Sequence, residues 1–441
     1  MTWRPWAWLL ASHHPLARRA RLVGVAVILG FSAFWGLLIW RYSRPDALYA
    51  KDILQEYLAG RALRAGLSPY LPLPELMARF YPGVQQPMLP HPTPHPPPAL
   101  LLTFPLAFLS FPQAVGVWLG VELVFLLAWV ALMGRQLTGQ ALTVKQTLLW
   151  GAMLLSLAPV AQDLVYGQWM IILLFLLSLA FWAGQAGRPG RSGFWLGLTL
   201  GLKPIFWPFL LALAVRRAWK TVLMAGLTAA LWWGMSALFL GPQEVLRYLL
   251  HTQGTVAPYY QGFAFNFSLW TLAPRMFSGT GSPALVSLVA PPLWEAPALV
   301  PWVTGSLIVL TLALALGYTW KARLEGARLY SLWLPLSVVL SPVAWRHYFV
   351  ILFLPVALTA WGLRQRGWPG KATTLWLVTV LLLGMPDMLL EEGLKALAGG
   401  WELSAGLAQL TWLPVAVMLA GVIGLGAGMG DVEVGKDSAF Q

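Results

Sequence analysis

The sequence predicts an all-α polytopic membrane protein with roughly ten to twelve helices that cross a bilayer or enter half of it. The 441-residue chain is 58% hydrophobic and 10% charged, whereas soluble domains carry about 25% charged residues. Its mean hydropathy is +0.68. Apolar runs close to the length of a membrane span recur along the chain, with basic clusters between them. We therefore interpret residues 1–441 as one integral membrane domain, since no internal repeat or separate soluble domain is visible.

The charge balance and residue usage narrow the function classes. The formal net charge is +13, and in membrane proteins such an excess collects in cytoplasmic loops near anionic lipid heads. A nucleic acid partner is not expected, because no soluble segment combines a basic run with interleaved aromatics. The chain has no Cys, which excludes disulfides and thiolate metal sites. Many of the 26 Trp residues fall at the ends of apolar runs, as is typical of interfacial belts.

The first predicted transmembrane helix is the apolar run 22–40, which follows a cluster of basic residues. A secretory signal would also begin basic, but this run is long enough to span and no small-residue cleavage site follows it. We expect the N-terminus in the cytoplasm and 41–98 as an external catalytic loop.

The external loop is predicted to carry amphipathic helices. Stretch 51–70 has apolar residues at helical spacing and is expected to lie at the membrane surface, with Gly66 as C-cap and Pro69 as a stop. Asp52 heads this helix, where the helix dipole favours a carboxylate. In so charge-poor a chain Asp52 is either a simple helix cap or a functional acid. The rest of the loop holds a short amphipathic stretch and a Pro-rich turn, 74–80 and 91–98.

Core helices are expected over 99–363 and C-terminal helices over 372–428. The apolar segments are 99–111, 113–134, 147–160, 167–184, 193–215, 220–240, 297–318, 329–341, 348–363, 372–390 and 407–428. Cytoplasmic positions are predicted for the basic clusters, which are Arg135/Lys145, Arg188/Arg191, Arg216/Arg217/Lys220, Lys321/Arg323/Arg328 and Arg364/Arg366/Lys371. This topology requires 99–111 to stay near the outer face and 193–215 to be a hairpin broken at Lys203-Pro204. Since irregular backbone at membrane depth is tolerated only inside protein or beside a cavity, Lys203 should not face lipid.

A few polar groups stand where chemistry would occur. Asp46, Asp52 and Glu56 could act as a base, while Lys203, Arg346 and His347 could hold a phosphate. Each has a structural alternative: Lys203 could extend its amine to the interface, and Arg346 could anchor the topology. Their convergence on one side of the membrane favours the functional interpretation. No His, Asp and Glu spacing indicates a metal site, so we expect neither a metal nor another cofactor.

Several short motifs together resemble glycosyltransferase family 87, whose members transfer mannose from polyprenol phosphate and have the GT-C membrane fold. In chain order they are Asp52, Tyr57, Ala59, Arg61-Ala62-Leu63, Gly66 and Pro69-Tyr70; His95-Pro96-Pro97; Gly167-Gln168; Gly197-Leu198 with Gly201-Leu202-Lys203-Pro204; Asn266 with Ser268; and Ser341-Pro342-Val343-Ala344-Trp345-Arg346-His347-Tyr348. The resemblance covers about 52–348. It departs from the family at His95, where Tyr is usual, at Val343-Ala344, where Ile-Ser is commoner, and at Arg346, which is often acidic.

The resemblance implies a GT-C-type bundle that transfers a sugar, mannose or a similar hexose or pentose, from a polyprenyl-phosphate donor with inversion. The acceptor would be a hydroxyl of a lipid or glycan on the outer face of the cell membrane. Asp52 takes the place of the general base, with Asp46 as second choice. Lys203, Arg346 and His347 would hold the donor phosphate. Substrate contacts are expected from Tyr57, Tyr70, His95, Gln168 and Asn266.

Two other classes remain open from the sequence. A transporter or flippase of lipid-linked sugars would also need intramembrane charges and a lipid groove, although transporters often show internal repeats. A non-catalytic partner of a polymerase or ligase is the third possibility. The long external loop with its predicted helices favours the enzyme.

Overall fold

The chain folds almost entirely into helices, in agreement with the predicted all-α polytopic class. The computed structural model describes residues 15–44, 47–84, 90–281 and 287–428, without the side chains of 15–25, 27 and 253. In these ranges the only β-type pairing is two isolated bridges. The first eleven α-helices are α1 Pro15–Arg41, α2 Ile53–Arg64, α3 Leu73–Phe80, α4 Pro97–Thr103, α5 Phe111–Thr138, α6 Val144–Leu154, α7 Ala158–Tyr166, α8 Met170–Gln185, α9 Pro189–Leu202, α10 Trp207–Val215 and α11 Trp219–Leu240. The others are α12 Pro242–Arg247, α13 Gln253–Tyr260, α14 Leu272–Phe277, α15 Val300–Lys321, α16 Gly326–Val339, α17 Phe353–Gln365, α18 Gly370–Gly384, α19 Asp387–Ala398, α20 Ala405–Gln409 and α21 Leu413–Ala427.

Short 3₁₀ and π turns connect several of these helices. The 3₁₀ turns are Leu48–Ala50, Phe104–Phe108, Pro204–Phe206, Leu269–Thr271, Pro297–Leu299, Arg346–Leu352 and Leu410–Trp412, and the π turn is Tyr248–Thr252.

Five helical stretches within the described residues are long and apolar enough to cross a membrane. They are Phe111–Thr138, Trp219–Leu240, Pro297–Lys321, Arg346–Gln365 and Ala405–Ala427. Two bent pairs raise the number to seven: α6 with α7, at 89°, and α18 with α19, at 81°. Shorter apolar helical stretches include Met170–Gln185 and Pro204–Val215. The unequal lengths of the apolar segments in the sequence predict this mixture of long and short helices.

A glycine stripe seats α9 against α11. Gly193, Gly197 and Gly201 recur every four residues, the spacing that lets membrane helices approach closely. A Cβ at any of them would press on α11, and the facing residues in order are Thr221, Ala225 and Trp232. The contacting residue numbers increase along both helices in the same order, so α9 and α11 run parallel. The chain must therefore run in the opposite direction in α10, which connects them. The predicted hairpin is thus confirmed, and its break is Lys203, with an extended backbone at φ −150° and ψ 100°.

Helix α2 is buried in the protein, so the predicted surface position is wrong. Eight of its twelve residues are buried, and it packs against α3, α4 and the Phe104–Phe108 turn. A Cβ at Gly60 would lie 2.9 Å from the Ala107 Cβ, so the glycine permits this close approach. The helix ends where predicted, with Gly66 at φ +70°. Helical spacing alone could not distinguish a membrane surface from neighbouring helices as the partner of its apolar face.

The Arg346–Leu352 turn lies in the protein core. All seven residues are buried, and the turn packs against α7, α8 and α17. This packing brings the second polar interruption of the sequence next to the turn between α7 and α8, where the candidate site is built.

Candidate active site

The turn between α7 and α8 is shaped by one buried carboxylate. Asp163 accepts hydrogen bonds from the backbone N–H groups of Met170 (3.2 Å) and Ile171 (2.9 Å), which lie in the first turn of α8 and have no partner within that helix. Gly167 ends α7 at φ +71° and donates its N–H to the Asp163 carbonyl at 2.8 Å. Asp163 therefore fixes the direction in which Gln168 leaves the turn.

This turn docks on the start of α2. A Cβ at Gly167 would lie 3.0 Å from the Ile53 Cβ, so only glycine fits between the two segments. The Lys51 ammonium is buried and donates to the Val165 carbonyl at 2.5 Å. That carbonyl belongs to the last turn of α7, where a cation is favoured by the helix dipole.

Asp52 stands at the N-cap position of α2 but does not cap the helix. Its side chain makes no capping hydrogen bond; one carboxylate oxygen instead accepts from Gln168 Nε2 at 2.7 Å, and the other lies 3.5 Å from Gln55 Nε2. Burial raises the pKa of the Asp52 carboxyl, while the hydrogen bond from Gln168 and the charge of Lys203 partly oppose that rise. The simple-cap alternative is thereby excluded, and Asp52 is a half-buried carboxylate held by a residue 116 positions away.

Glu56 lies one turn beyond Asp52 on the same face of α2. Its Oε1 is 3.0 Å from His95 Nδ1 and accepts from Trp169 Nε1 at 2.8 Å. Burial raises the pKa of Glu56 to about 8 and lowers that of His95 to about 3. Near neutral pH this pair is therefore mainly a protonated carboxyl beside a neutral imidazole.

Lys203 faces this cluster from the tip of the α9–α10 hairpin. It is 8% exposed, and its ammonium lies 3.9 Å from the centre of the Tyr348 ring. Its charge acts on Asp52, Glu56 and His95. Among the described residues we find neither a hydrogen-bond acceptor nor an ion-pair partner for it. The ammonium of a buried lysine that has only an aromatic neighbour in the described residues is suited to bind an anion.

His347 is the second group without a full set of partners. The residue is buried, and within the described part of the chain its Nε2 has no hydrogen-bond partner. Its ring centre lies 4.9 Å from that of Tyr348 and 6.5 Å from that of Tyr166. Like Lys203, it therefore presents a buried polar nitrogen that a ligand can satisfy.

Arg346 points elsewhere. Its Nε donates to Asp387 at 2.7 Å, its Nη2 makes an ion pair with the same carboxylate, and its Nη1 lies 3.4 Å from the Leu382 carbonyl. The guanidinium is thus engaged with α18 and α19, which explains why an arginine is buried here. We leave it out of the proposed phosphate contacts for this reason.

Of the five expected substrate contacts, two join the cluster. Gln168 binds Asp52, and His95 lies beside Glu56. The other three are buried with polar groups engaged by backbone: Tyr57 with Leu109, Tyr70 with His95, and Asn266 with Tyr260, Pro342, Ser268 and Ala344. These three hold the loops in place. Asp46, the second choice for a base, lies outside the described residues.

The sequence did not identify all of the residues that surround Asp52 in the site. Lys51 and Trp169 were not proposed for the site, and Glu56 was only one of several acids. The spacing of four between Asp52 and Glu56 on a helix was the available signal for Glu56. The family resemblance assigned Gln168 and Asp52 to one site, but no pattern in the sequence indicated the direct contacts between residues 164–169 and residues 51–56.

The fold and the cluster define a polytopic membrane protein with an enclosed ionisable site between its helices. The family model for glycosyltransferase family 87 matches residues 94–342, which is more than half of the chain. The protein belongs to this family and is a membrane glycosyltransferase. The match includes His95, Gln168 and Lys203, whereas His347 lies just after it and Asp52 lies well before its first residue.

Three curated relatives align with most of the chain. A polyprenol-phosphate-mannose-dependent α-(1-2)-phosphatidylinositol pentamannoside mannosyltransferase of Mycolicibacterium smegmatis is 26% identical over 89% of this chain and 92% of its own length. The protein of the same name from Mycobacterium tuberculosis (strain CDC 1551 / Oshkosh) is 26% identical over 90% and 88%. A polyprenol-phosphate-mannose-dependent α-(1-2)-phosphatidylinositol mannoside mannosyltransferase of M. tuberculosis (strain ATCC 25618 / H37Rv) is 26% identical over 74% of this chain and 76% of its own length. No solved structure matches the chain significantly.

The turn at Gly167 provides a test of the docking between α7–α8 and α2. We expect Gly167→Ala to lower the free energy of unfolding by more than the ~1–2 kcal/mol that a left-handed Ala costs, because its Cβ also presses on Ile53. Gly66→Ala is the matched control, with φ +70° and open space around it. Thermal unfolding in detergent measures both. Equal losses would show that the turn is not pressed against α2.

Proposed function

We propose that the protein transfers mannose from a polyprenyl-phosphate donor to a hydroxyl of a glycolipid acceptor, with inversion and with Asp52 as general base. The donor and acceptor classes are those in the names of the aligned relatives. The observation that carries the proposal is the carboxylate of Asp52, which is released from helix capping and held by Gln168 in the field of an unpaired, buried Lys203.

The base role follows from the environment of Asp52. The acceptor hydroxyl attacks the anomeric carbon, the bond from that carbon to the phosphate oxygen breaks, and the hydroxyl proton passes to the carboxylate. A raised pKa makes Asp52 a stronger base than an exposed aspartate, and the hydrogen bond from Gln168 orients it. Because base and leaving group act on opposite sides of the sugar, the configuration inverts.

The leaving phosphate needs cations or hydrogen-bond donors. Lys203 supplies a point charge, and His347 supplies a nitrogen for which the described residues provide no hydrogen-bond partner. Both lie between apolar helices, where a polyprenyl chain can run alongside in the bilayer. The family assignment favours this chemistry over the transporter interpretation.

We propose that the site lies on the external face. The basic clusters that end α5, α8, α10 and α17 all lie at the helix ends away from Asp52, and basic loops are cytoplasmic in membrane proteins. The donor would then be used outside the cell membrane.

Asp52→Asn tests the base directly. It keeps the shape and removes the basicity, so we expect turnover to fall by at least about 10²-fold, the usual contribution of a positioned base. Mannose transfer by the purified protein measures this, with Glu75→Gln on the neighbouring α3 as an acid-to-amide control. Near wild-type turnover in Asp52→Asn would make the assignment wrong.

Gln168→Leu should move the pH dependence. Asp52 must be deprotonated to act, so activity is lost as the pH falls through its pKa. Removing a hydrogen bond to the charged form raises that pKa further, and the acid limb of the pH–rate profile should shift to higher pH. A lower rate with an unchanged limb would mean that Gln168 does not set the ionisation of Asp52.

Lys203→Met should weaken use of the donor. Loss of a charge-assisted contact to phosphate corresponds to about a 10- to 100-fold drop in kcat/KM, and Lys145→Met, at an exposed lysine, is the control. Steady-state rates at varied donor concentration give the comparison. Equal behaviour of the two variants would remove Lys203 from the phosphate site.

Single cysteines in this Cys-free chain report the orientation. Ala65 ends α2, Ala186 ends α8, and both are exposed. We expect a membrane-impermeant maleimide to label Ala65→Cys in intact cells and Ala186→Cys only after the membrane is opened. The opposite pattern would place the site in the cytoplasm.

A further inference from the structure

The two oxygens of the Glu56 carboxyl differ: one is fully engaged, and the other has no hydrogen-bond partner in the part of the chain that the structure describes. Oε1 lies against His95 Nδ1 and Trp169 Nε1, at 3.0 and 2.8 Å. Oε2 is buried, and within the described residues it has no hydrogen-bond partner. An unsatisfied buried oxygen is costly, so this position calls for a ligand group.

The position of Oε2 indicates what kind of ligand that is. Glu56 is one helical turn from Asp52, and the charge of Lys203 acts on both carboxyls. In the proposed reaction the base and the phosphate ligand act on opposite sides of the anomeric carbon, so the group that would lie between Asp52 and Lys203 is the transferred sugar. A hydroxyl both donates and accepts, which suits a carboxyl in either protonation state.

The neighbours of Glu56 keep its free oxygen in place. Trp169 is 2% exposed and packs edge-to-face on Trp118 at 4.7 Å between ring centres. His95 is held by the Pro-rich turn, whose backbone accepts a hydrogen bond from Tyr70. The carboxyl therefore cannot turn Oε2 away without losing the contacts of Oε1, and the polar end of Glu56 is preorganised.

We propose that Glu56, oriented by His95 and Trp169, binds one hydroxyl of the transferred sugar and determines which sugar the enzyme accepts. This rests on the proposed function, because it assigns a role within the same site. A site built to hydrogen-bond a hydroxyl discriminates strongly against an analogue that lacks it, since its buried polar group is then left unpaired.

The test is a double-mutant cycle between the protein and the donor. Wild type and Glu56→Ala are compared with the polyprenyl-phosphate mannose donor and with its 2-, 3-, 4- and 6-deoxy analogues, and kcat/KM is measured for each. At one position we expect the deoxy donor to cost wild type about 10- to 100-fold and Glu56→Ala at least tenfold less. At the other positions the two effects should multiply independently.

Two further variants make the result decisive. Glu75→Ala removes a carboxyl at an exposed position of α3, so its costs should multiply independently with all deoxy donors. Thermal unfolding in detergent shows whether Glu56→Ala is folded. If it is not, Glu56→Gln replaces it, because the amide oxygen still accepts a hydrogen bond from Trp169. For Glu56→Gln we expect coupling with the deoxy donor of the same sugar position, but of smaller size.

The outcomes separate the two proposals. If wild type transfers no sugar from any of these donors, the proposed function is wrong. If wild type transfers mannose and the folded Glu56 variant lowers kcat/KM by the same factor for all five donors, Glu56 only holds α2 in place and the proposed sugar contact is wrong.

Discussion

The candidate site depends on the contact between the α7–α8 turn and the first residues of α2. Three side chains make this contact from different directions: Lys51 reaches the end of α7, Gln168 reaches Asp52, and Trp169 reaches Glu56. The backbones can approach because residue 167 is Gly. Without this docking, Asp52 would be an ordinary carboxylate at the head of a helix, free to cap it.

A second constraint is the burial of charge in an apolar chain. The cation of Arg346 is matched by a protein carboxylate, that of Asp387. Lys203 and His347 are also buried residues, but the described residues show no carboxylate partner for either, and the His347 Nε2 has no hydrogen-bond partner among them. Since uncompensated polar groups are costly at membrane depth, the difference separates a structural ion pair from groups that await a ligand.

The membrane architecture serves this arrangement through half-length helices. The α9–α10 hairpin ends at Lys203 rather than crossing, and the α6–α7 pair bends by 89° so that α7 ends at the site. The tight glycine packing of α9 on α11 holds the tip of the hairpin at a fixed depth. Irregular backbone is tolerated at these breaks because protein surrounds it.

The sequence by itself determined the class of fold, the hairpin broken at Lys203 and the choice of Asp52 as a candidate functional acid. These follow from local quantities: apolar run length, basic loops, a lysine followed by proline, and an acid in a charge-poor chain. Only the tertiary structure decided which partners these groups meet. In the folded protein α2 packs on neighbouring helices, Arg346 forms an ion pair with Asp387, and Glu56 contacts His95 and Trp169. The physical reason is that Asp52 and Gln168 lie 116 positions apart along the chain, Glu56 and Trp169 113, and Arg346 and Asp387 41. No helical period or residue propensity specifies such distant pairs.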